Sequence, residues 1–297
     1  VGSGGMGHQR RDISFASDGD MCRGWFYQPA GPTPAPVVVM AHGFSAERTF
    51  RLPAYAEKFA DAGLAVLLFD YRNFGDSDGE PRFLVDPARH VEDWQQAVAY
   101  ARSLPEADND RIALWGSSFS GGHVITIAAE DPEIKALVAQ VPYVGGIEVK
   151  LSLINTLKAA ASIIGDKIAA LFGGAVTVPI VGPEGSFACM ASSEAMQFLD
   201  IVDEGSSWNN RVPARALVTL GDYQPGDIAD KVTCPALVVV GETDETTPPD
   251  FARAAAAKMP NAEVTAFNAG HFEVYVPPLF EDVVDQQARF LLKHLAA

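Results

Sequence analysis

The chain has 297 residues, 48% of them hydrophobic and 20% charged. That is ordinary globular composition, and it excludes disordered, collagen-like and coiled-coil classes. With 22 Lys and Arg against 38 Asp and Glu the formal net charge is −16, which repels phosphate backbones and anionic lipid headgroups and argues against nucleic-acid and membrane partners.

The opening Val1-Gly2-Ser3-Gly4-Gly5 reads as a cloning scar ahead of a native start at Met6. Asp12 to Phe15 and Arg23 to Tyr27 flank the turn Asp18-Gly19-Asp20, which predicts an antiparallel hairpin at a sheet edge. Beyond proline-rich Pro29 to Pro36 the pattern changes. Val37 to Ala41, Ala65 to Phe69, Ile112 to Trp115, Ala136 to Ala139 and Ala236 to Val240 are short uninterrupted apolar runs. Strands buried on both faces of a parallel sheet read this way. Helical patterns occupy Ala54 to Ala62, Pro87 to Arg102, Phe119 to Ala129, Phe251 to Met259 and Leu279 to Leu295. The alternation predicts an α/β fold: a mostly parallel sheet with helices on both faces and right-handed crossovers.

Between residues 143 and 211 the alternation fails. An apolar helical segment (Glu148 to Phe172) is followed by a Gly/Pro-rich passage (Gly173 to Gly185) and a shorter helical piece (Ser192 to Ile201), after which the strand pattern resumes. We read 143–211 as a helical lid inserted into a core made of 1–142 and 212–297. Leu153, Ile154, Leu157, Ile164 and Leu171 fall on one helical face and are expected to line an apolar pocket, with Lys150, Lys158 and Lys167 turned elsewhere. Charges, glycines and Pro179 interrupt this stretch too often for it to span a bilayer. Cys22, Cys189 and Cys234 are odd in number and without metal-ligand spacing, so neither a disulfide framework nor a zinc site is indicated, and a reducing, cytoplasmic setting is expected.

In Trp115-Gly116-Ser117-Ser118-Phe119-Ser120-Gly121-Gly122 a strand runs through a Gly-x-Ser turn into a helix. A hydroxyl is a weak nucleophile until it is positioned and deprotonated, and a sharp strand-to-helix turn presents it above the sheet. Two frames compete. Ser118 has Gly116 two before it and sits at the expected offset from the strand end; Ser120 has Gly122 two after it. Ser118 is favoured. Of the six histidines, His8 adjoins the scar, His90 and His294 have surface-like helical neighbours, and His123 lies on a helix leaving the turn. His271 follows the last predicted strand, Val264 to Phe267, at the end where α/β sheets bind ligands. As a base it needs an orienting acid. Asp244, in an acidic loop directly after a buried strand, is the first candidate, with Glu242 and Glu245 as alternatives. His42-Gly43-Phe44 follows the strand Val37 to Ala41. Its location, with the helix start after Ser118, assigns two oxyanion donors to the backbone N–H groups of Phe44 and Phe119, and leaves His42 holding the loop.

Together, Gly116-x-Ser118-x-Ser120-Gly121, Asp244, Gly270-His271 and the upstream His42-Gly43 resemble the α/β-hydrolase superfamily, whose order is Ser, Asp, His. Asp70-Tyr71-Arg72-Asn73-Phe74-Gly75-Asp76-Ser77 resembles a structural turn of that family, with Asn73 in a glycine place. The elbow and the Gly270-His271-Phe272 ending are similar to a dienelactone-hydrolase-like or X-prolyl-peptidase-like branch and to polyketide-release transferases and thiohydrolases. The serine sets the chain apart from dienelactone hydrolases proper, which carry Cys there, and from dehalogenases, which carry Asp. The resemblance implies a serine hydrolase of carboxylic esters working through an acyl-enzyme, without cofactor or metal, on a small-molecule ester or acyl substrate with an apolar part. Two alternatives stand beside it. One is acyl transfer or thioester release on the same residues; the other is a non-catalytic ligand-binding protein on a hydrolase scaffold.

Overall fold

The computed structural model describes residues 7–146 and 152–296. The segment read as a scar, Met6, and Glu148 to Leu151 with Lys150 lie outside the described residues.

β1 (His8–Ser17) and β2 (Asp20–Pro29) form the expected hairpin, paired from His8–Pro29 to Ser17–Asp20. β3 (Ala35–Ala41) leads through α1 (Leu52–Asp61) to β4 (Ala65–Phe69), and α2 (Pro87–Ser103) leads to β5 (Ala107–Ser117). Asp86 caps α2, accepting from the N–H groups of Ala88 and Arg89, with Pro87 in the first turn where no N–H is needed. α3 (Phe119–Glu130) and β6 (Ala136–Gln140) follow. Every residue of β4 and β6 is buried, which is why their sequences show no alternation.

After β6 comes α4 (Leu153–Ala170), capped by Ser152, and then four short strands: β7 (Thr177–Pro179), β8 (Val181–Gly182), β9 (Met190–Ala191) and β10 (Arg211–Pro213). A 3-10 turn occupies Ala195–Ile201. The strand pattern does not return to the main sheet at Arg211. Instead β10 pairs with β7, and α5 (Ala216–Asp222) and a further 3-10 turn (Pro225–Lys231) precede the next sheet strand. The core then closes with β11 (Ala236–Gly241), α6 (Pro249–Ala256), β12 (Ala262–Phe267) and α7 (Phe280–Leu295).

The main sheet has eight strands in the order β1-β2-β4-β3-β5-β6-β11-β12, antiparallel at the hairpin edge and parallel from β4 onward. α1 and α7 pack together on one face; α2 and α3 pack on the other, with α6 beyond them. Reversal of strand order around β3 and β5 opens a crevice at the carboxyl ends of these strands, where an open α/β sheet binds ligands.

One expectation fails in α4. Leu153, Ile154, Leu157, Ile164 and Leu171 do share a face, but it points to solvent: Leu153 is 76% exposed and Leu171 79%. The inner face is formed by Asn155, Ala159, Ile163 and Asp166. Asp166 is fully buried because its carboxylate is met from 49 residues away: Arg215 donates from Nε to Oδ2 (2.7 Å) and from Nη2 to Oδ1 (2.9 Å), and the N–H groups of Val176 and Arg215 add two more bonds. Burial alone would push this carboxyl up, but the guanidinium and the N–H donors hold it below the usual carboxylate range. The paired carboxylate therefore decides which side of the helix faces inward.

Candidate active site

Ser118 lies between β5 and α3 with φ 57° and ψ −120°, a conformation costly for a residue with a Cβ. The neighbours make it possible. A Cβ on Gly116 would stand 2.2 Å from the carbonyl oxygen of Ser120, so only glycine lets the helix start so close to the strand. Ser117 points into the core, its hydroxyl held by the Tyr275 hydroxyl (2.5 Å) and the Gln140 amide (3.0 Å). Ser120 is also buried, 2.9 Å from the Tyr71 hydroxyl. Of the three serines of the turn, Ser118 alone reaches His271.

His271 Nε2 is 2.9 Å from Ser118 Oγ, and its Nδ1 is 2.7 Å from Asp244 Oδ2. With the proton on Nδ1, the ring donates to Asp244 and accepts from Ser118. Asp244 is set by its own loop: the Thr247 N–H donates to Oδ1 (2.6 Å), and the Thr247 hydroxyl lies 2.9 Å from Oδ2 and 3.0 Å from Nδ1. His271 and Asp244 are 1% and 4% exposed, so the pair is shielded from water. Glu242 and Glu245 are exposed and away from the ring; Glu242 pairs with Arg253 instead.

Gly43 lies against the elbow, where a Cβ would stand 3.0 Å from the Ser117 carbonyl oxygen. Phe44 follows it, and the rings of Phe44 and Phe119 meet edge to face at 5.9 Å. Phe119 opens α3, so its N–H has no acceptor within the helix. Among the described residues the Phe44 N–H has no main-chain partner either. His42 Nδ1 is 3.0 Å from the Gly43 carbonyl oxygen and the ring is buried, which keeps it neutral and makes it a brace for the loop. Arg48 anchors the far end of the same loop through buried Asp70 and through Asp76.

Three features escaped the sequence reading. The first is Glu194, just before the 3-10 turn Ala195–Ile201. Its Oε1 accepts from the His271 N–H (2.9 Å), while Oε2 accepts from the N–H groups of Glu245 (3.0 Å) and Thr246 (2.8 Å) and the Thr246 hydroxyl (2.7 Å). One buried carboxylate thus ties the segment between β9 and β10 to the loops that carry His271 and Asp244. Nothing in Ala191-Ser192-Ser193-Glu194 announces this, because its partners lie 51 to 77 residues on. The second is Trp208, whose indole N–H donates to the Ser45 carbonyl (2.8 Å) and holds the loop carrying Phe44. The third is Thr247, whose place in the acidic loop was a usable signal.

Glu194→Gln puts an amide N–H2 where donors converge from both sides, and no flip satisfies both. We expect kcat/KM to fall about tenfold or more with secondary structure retained, checked by steady-state kinetics beside circular dichroism. An unchanged kcat/KM would remove Glu194 from the positioning of His271.

The histidine assignments need one correction. His90 is not on the surface: it is buried, stacked on Tyr71 at 4.1 Å, with its Nδ1 3.3 Å from His123 Nε2. His123 Nδ1 in turn meets the Tyr223 hydroxyl at 2.8 Å. Glu47, beside Arg48, is likewise buried, and its carboxyl is pushed up to about 7 by desolvation first and by Asp70 second. A raised carboxyl favours the fold below its ordinary value and loses that contribution as pH rises through 7. Glu47→Gln is therefore expected to be more stable than the parent at pH 8 by up to about 3 kcal/mol and equal to it near pH 4. Urea melts at the two pH values test this; a pH-independent difference would refute it.

Two cavities meet at Ser118. One, of about 450 Å³, is walled by Phe119, Tyr143, Ala159, Ile163, Leu217 and Thr247 among others. The second, of about 30 Å³, is walled by Gly43, Phe50, Phe198, His271, Phe272 and Tyr275 among others. Phe44, Ser118 and Met190 belong to both.

Comparison with known proteins agrees with this architecture. The profile of the family described as Serine aminopeptidase, S33, matches residues 32–271. The chain is 39% identical over 284 residues to the Quorum-quenching protein AidA of Acinetobacter baumannii, covering 94% of this chain and 93% of that protein. It is 31% identical over 293 residues to the Polyketide transferase af380 of Aspergillus fumigatus, covering 96% and 99%. Among solved structures, the alpha/beta hydrolase GrgF from Penicillium superposes with a TM-score of 0.85 at 25% identity, covering 97% of this chain and all of that one.

Proposed function

The chain belongs to the serine aminopeptidase S33 family of hydrolases and has their α/β-hydrolase fold, and from that premise we propose that it cleaves a carboxylic ester through an acyl-enzyme on Ser118. The observation that carries the reading is the hydrogen-bonded chain from Asp244 through His271 to Ser118, at the mouth of an apolar cavity.

In this mechanism Ser118 Oγ attacks the carbonyl carbon while His271 Nε2 takes its proton. The oxyanion lies between the N–H groups of Phe44 and Phe119, which are preorganised because the loop and the helix start fix them before substrate arrives. Collapse breaks the bond to the leaving oxygen, which receives the proton from His271. Water then attacks the acyl carbon by the reverse route. Asp244 keeps the ring in the required tautomer and stabilises the imidazolium. The reaction balances with water alone.

The same reading makes the inserted segment 143–211 a lid. Glu194 and Trp208 reach from it to the loops bearing His271 and Phe44, and α5, with Leu217 and Leu220 on the cavity wall, extends the cover to Asp222. A second reading, transfer of the acyl group to a nucleophile other than water, is favoured by the name of the fungal relative.

Labelling with a fluorophosphonate, followed by intact mass, tests the proposal. A single adduct on Ser118 and a transient acyl adduct with an activated ester are expected. Absence of any adduct would leave a ligand-binding scaffold. An acyl adduct stable in water but discharged by added thiols or alcohols would favour transfer.

A further inference from the structure

The two cavities at Ser118 are unequal, and the chemistry decides which side of an ester each receives. The leaving oxygen must lie where His271 Nε2 can protonate it, so the leaving group departs on the side that His271 walls. That side is the cleft of about 30 Å³, lined by Phe50, Phe198 and Tyr275 among others. A site of this size holds one or two waters, or a group of similar bulk. The other cavity, of about 450 Å³, does not have His271 in its wall and is lined by Phe119, Tyr143, Ile163, Leu217 and Thr247 among others. Its volume is that of a pocket for a sizeable apolar ligand.

Resting on the serine-hydrolase reading above, we propose that the substrate is an ester of a bulky apolar acid with a small alcohol, the acyl group filling the large cavity and the alcohol the small one. Ser118 forms the new C–O bond; the bond to the small alcohol breaks, and that alcohol leaves with the proton from His271. The cleft it vacates admits water beside Nε2 but no large second nucleophile, so deacylation runs to the free acid. Ser118 and the Phe44 and Phe119 N–H groups, at the mouth of the large cavity, meet the reacting atoms, and the walls beyond them meet the acyl chain. Ile163 and Ala159, on the inner face of α4, set the depth available to it.

The test uses isomers. Methyl octanoate and heptyl acetate have the same formula and differ only in which side of the ester is long. We expect methyl octanoate to have the higher kcat/KM by at least about a hundredfold, because six methylenes are buried in one and find no room in the other. Ile163→Trp, which narrows the large cavity, should cut the preference for methyl octanoate over methyl butyrate at least tenfold while fluorophosphonate labelling persists. Equal rates on the two isomers, a preference for heptyl acetate, turnover of neither by a labelled enzyme, or an unchanged chain-length preference in Ile163→Trp would each overturn the proposal. A protein that takes no fluorophosphonate label fails the serine-hydrolase reading itself, so the two failures are told apart.

Discussion

Ser118→Ala is expected to lose turnover and fluorophosphonate labelling together, while Ser120→Gly remains folded, labelled and active. The two serines lie two residues apart, yet they face opposite environments. Ser118 Oγ is 2.9 Å from His271 Nε2; Ser120 Oγ is 2.9 Å from the Tyr71 hydroxyl, in a buried site with no route to the ring. Residues of a triad act as a unit, so removing the nucleophile should lower kcat by roughly a millionfold, leaving only binding and the oxyanion donors. Removing the Ser120 hydroxyl deprives Tyr71 of one partner, while the Trp94 indole N–H still donates to it (2.9 Å). The cost should be about 1–3 kcal/mol of stability, with kcat changed little. Activity in Ser118→Ala with loss in Ser120→Gly would move the nucleophile, and labelling in both variants would dismiss the elbow altogether.

Acid is expected to unfold the protein well above the pH at which most carboxylates protonate, because three histidines are buried neutral. Burial is the leading cause at each. His42 is lowered, His90 is lowered well below the ordinary imidazole value with help from His123 and His42, and His123 is pushed down to about 3. A histidine with a depressed folded-state value stabilises the fold above its unfolded value, and that contribution is lost as pH falls, since the unfolded chain binds the proton first. Each adds a slope of up to about 1.4 kcal/mol per pH unit below pH 6.5. Glu47 opposes them with one proton between its ordinary value and about 7, and buried Asp93, raised by desolvation, opposes them at lower pH. The net slope should be at most roughly two protons, or about 2.7 kcal/mol per pH unit, against a total stability of about 5–15 kcal/mol. Urea midpoints measured from pH 7 to pH 4.5 should therefore fall steeply, and His123→Gln should flatten the fall by about one proton. Parallel curves for parent and variant would show that His123 is not among the groups responsible.

The large parts of the fold were legible because they rest on periodicity. Uninterrupted apolar runs such as Ala65 to Phe69 became wholly buried strands, and the alternation about Asp18-Gly19 became the edge hairpin. Ser118, His271 and Asp244 could be picked out as candidates because each lies within four residues of a strand's carboxyl end, and the parallel sheet delivers those ends to one place. The departure from the common motif at Ser120 was legible as a question only, since two serines in one turn differ by orientation and not by type.

Other features depended on partners distant in sequence. The outward turn of the apolar face of α4 followed from Asp166 finding Arg215, and the burial of His90 from Tyr71 stacking on it and His123 meeting it from α3. Glu194 looks like any surface glutamate until the fold brings four donors to it from the loops of His271 and Asp244. The sequence by itself determined the layers, the strand ends and the candidate triad, because apolar period and turn chemistry are local. Only the tertiary structure decided which face of α4 is inside, which charges are buried and how large each side of Ser118 is. A buried polar group is tolerable only where its partners converge, and a cavity is bounded by side chains from segments that meet solely in the folded chain.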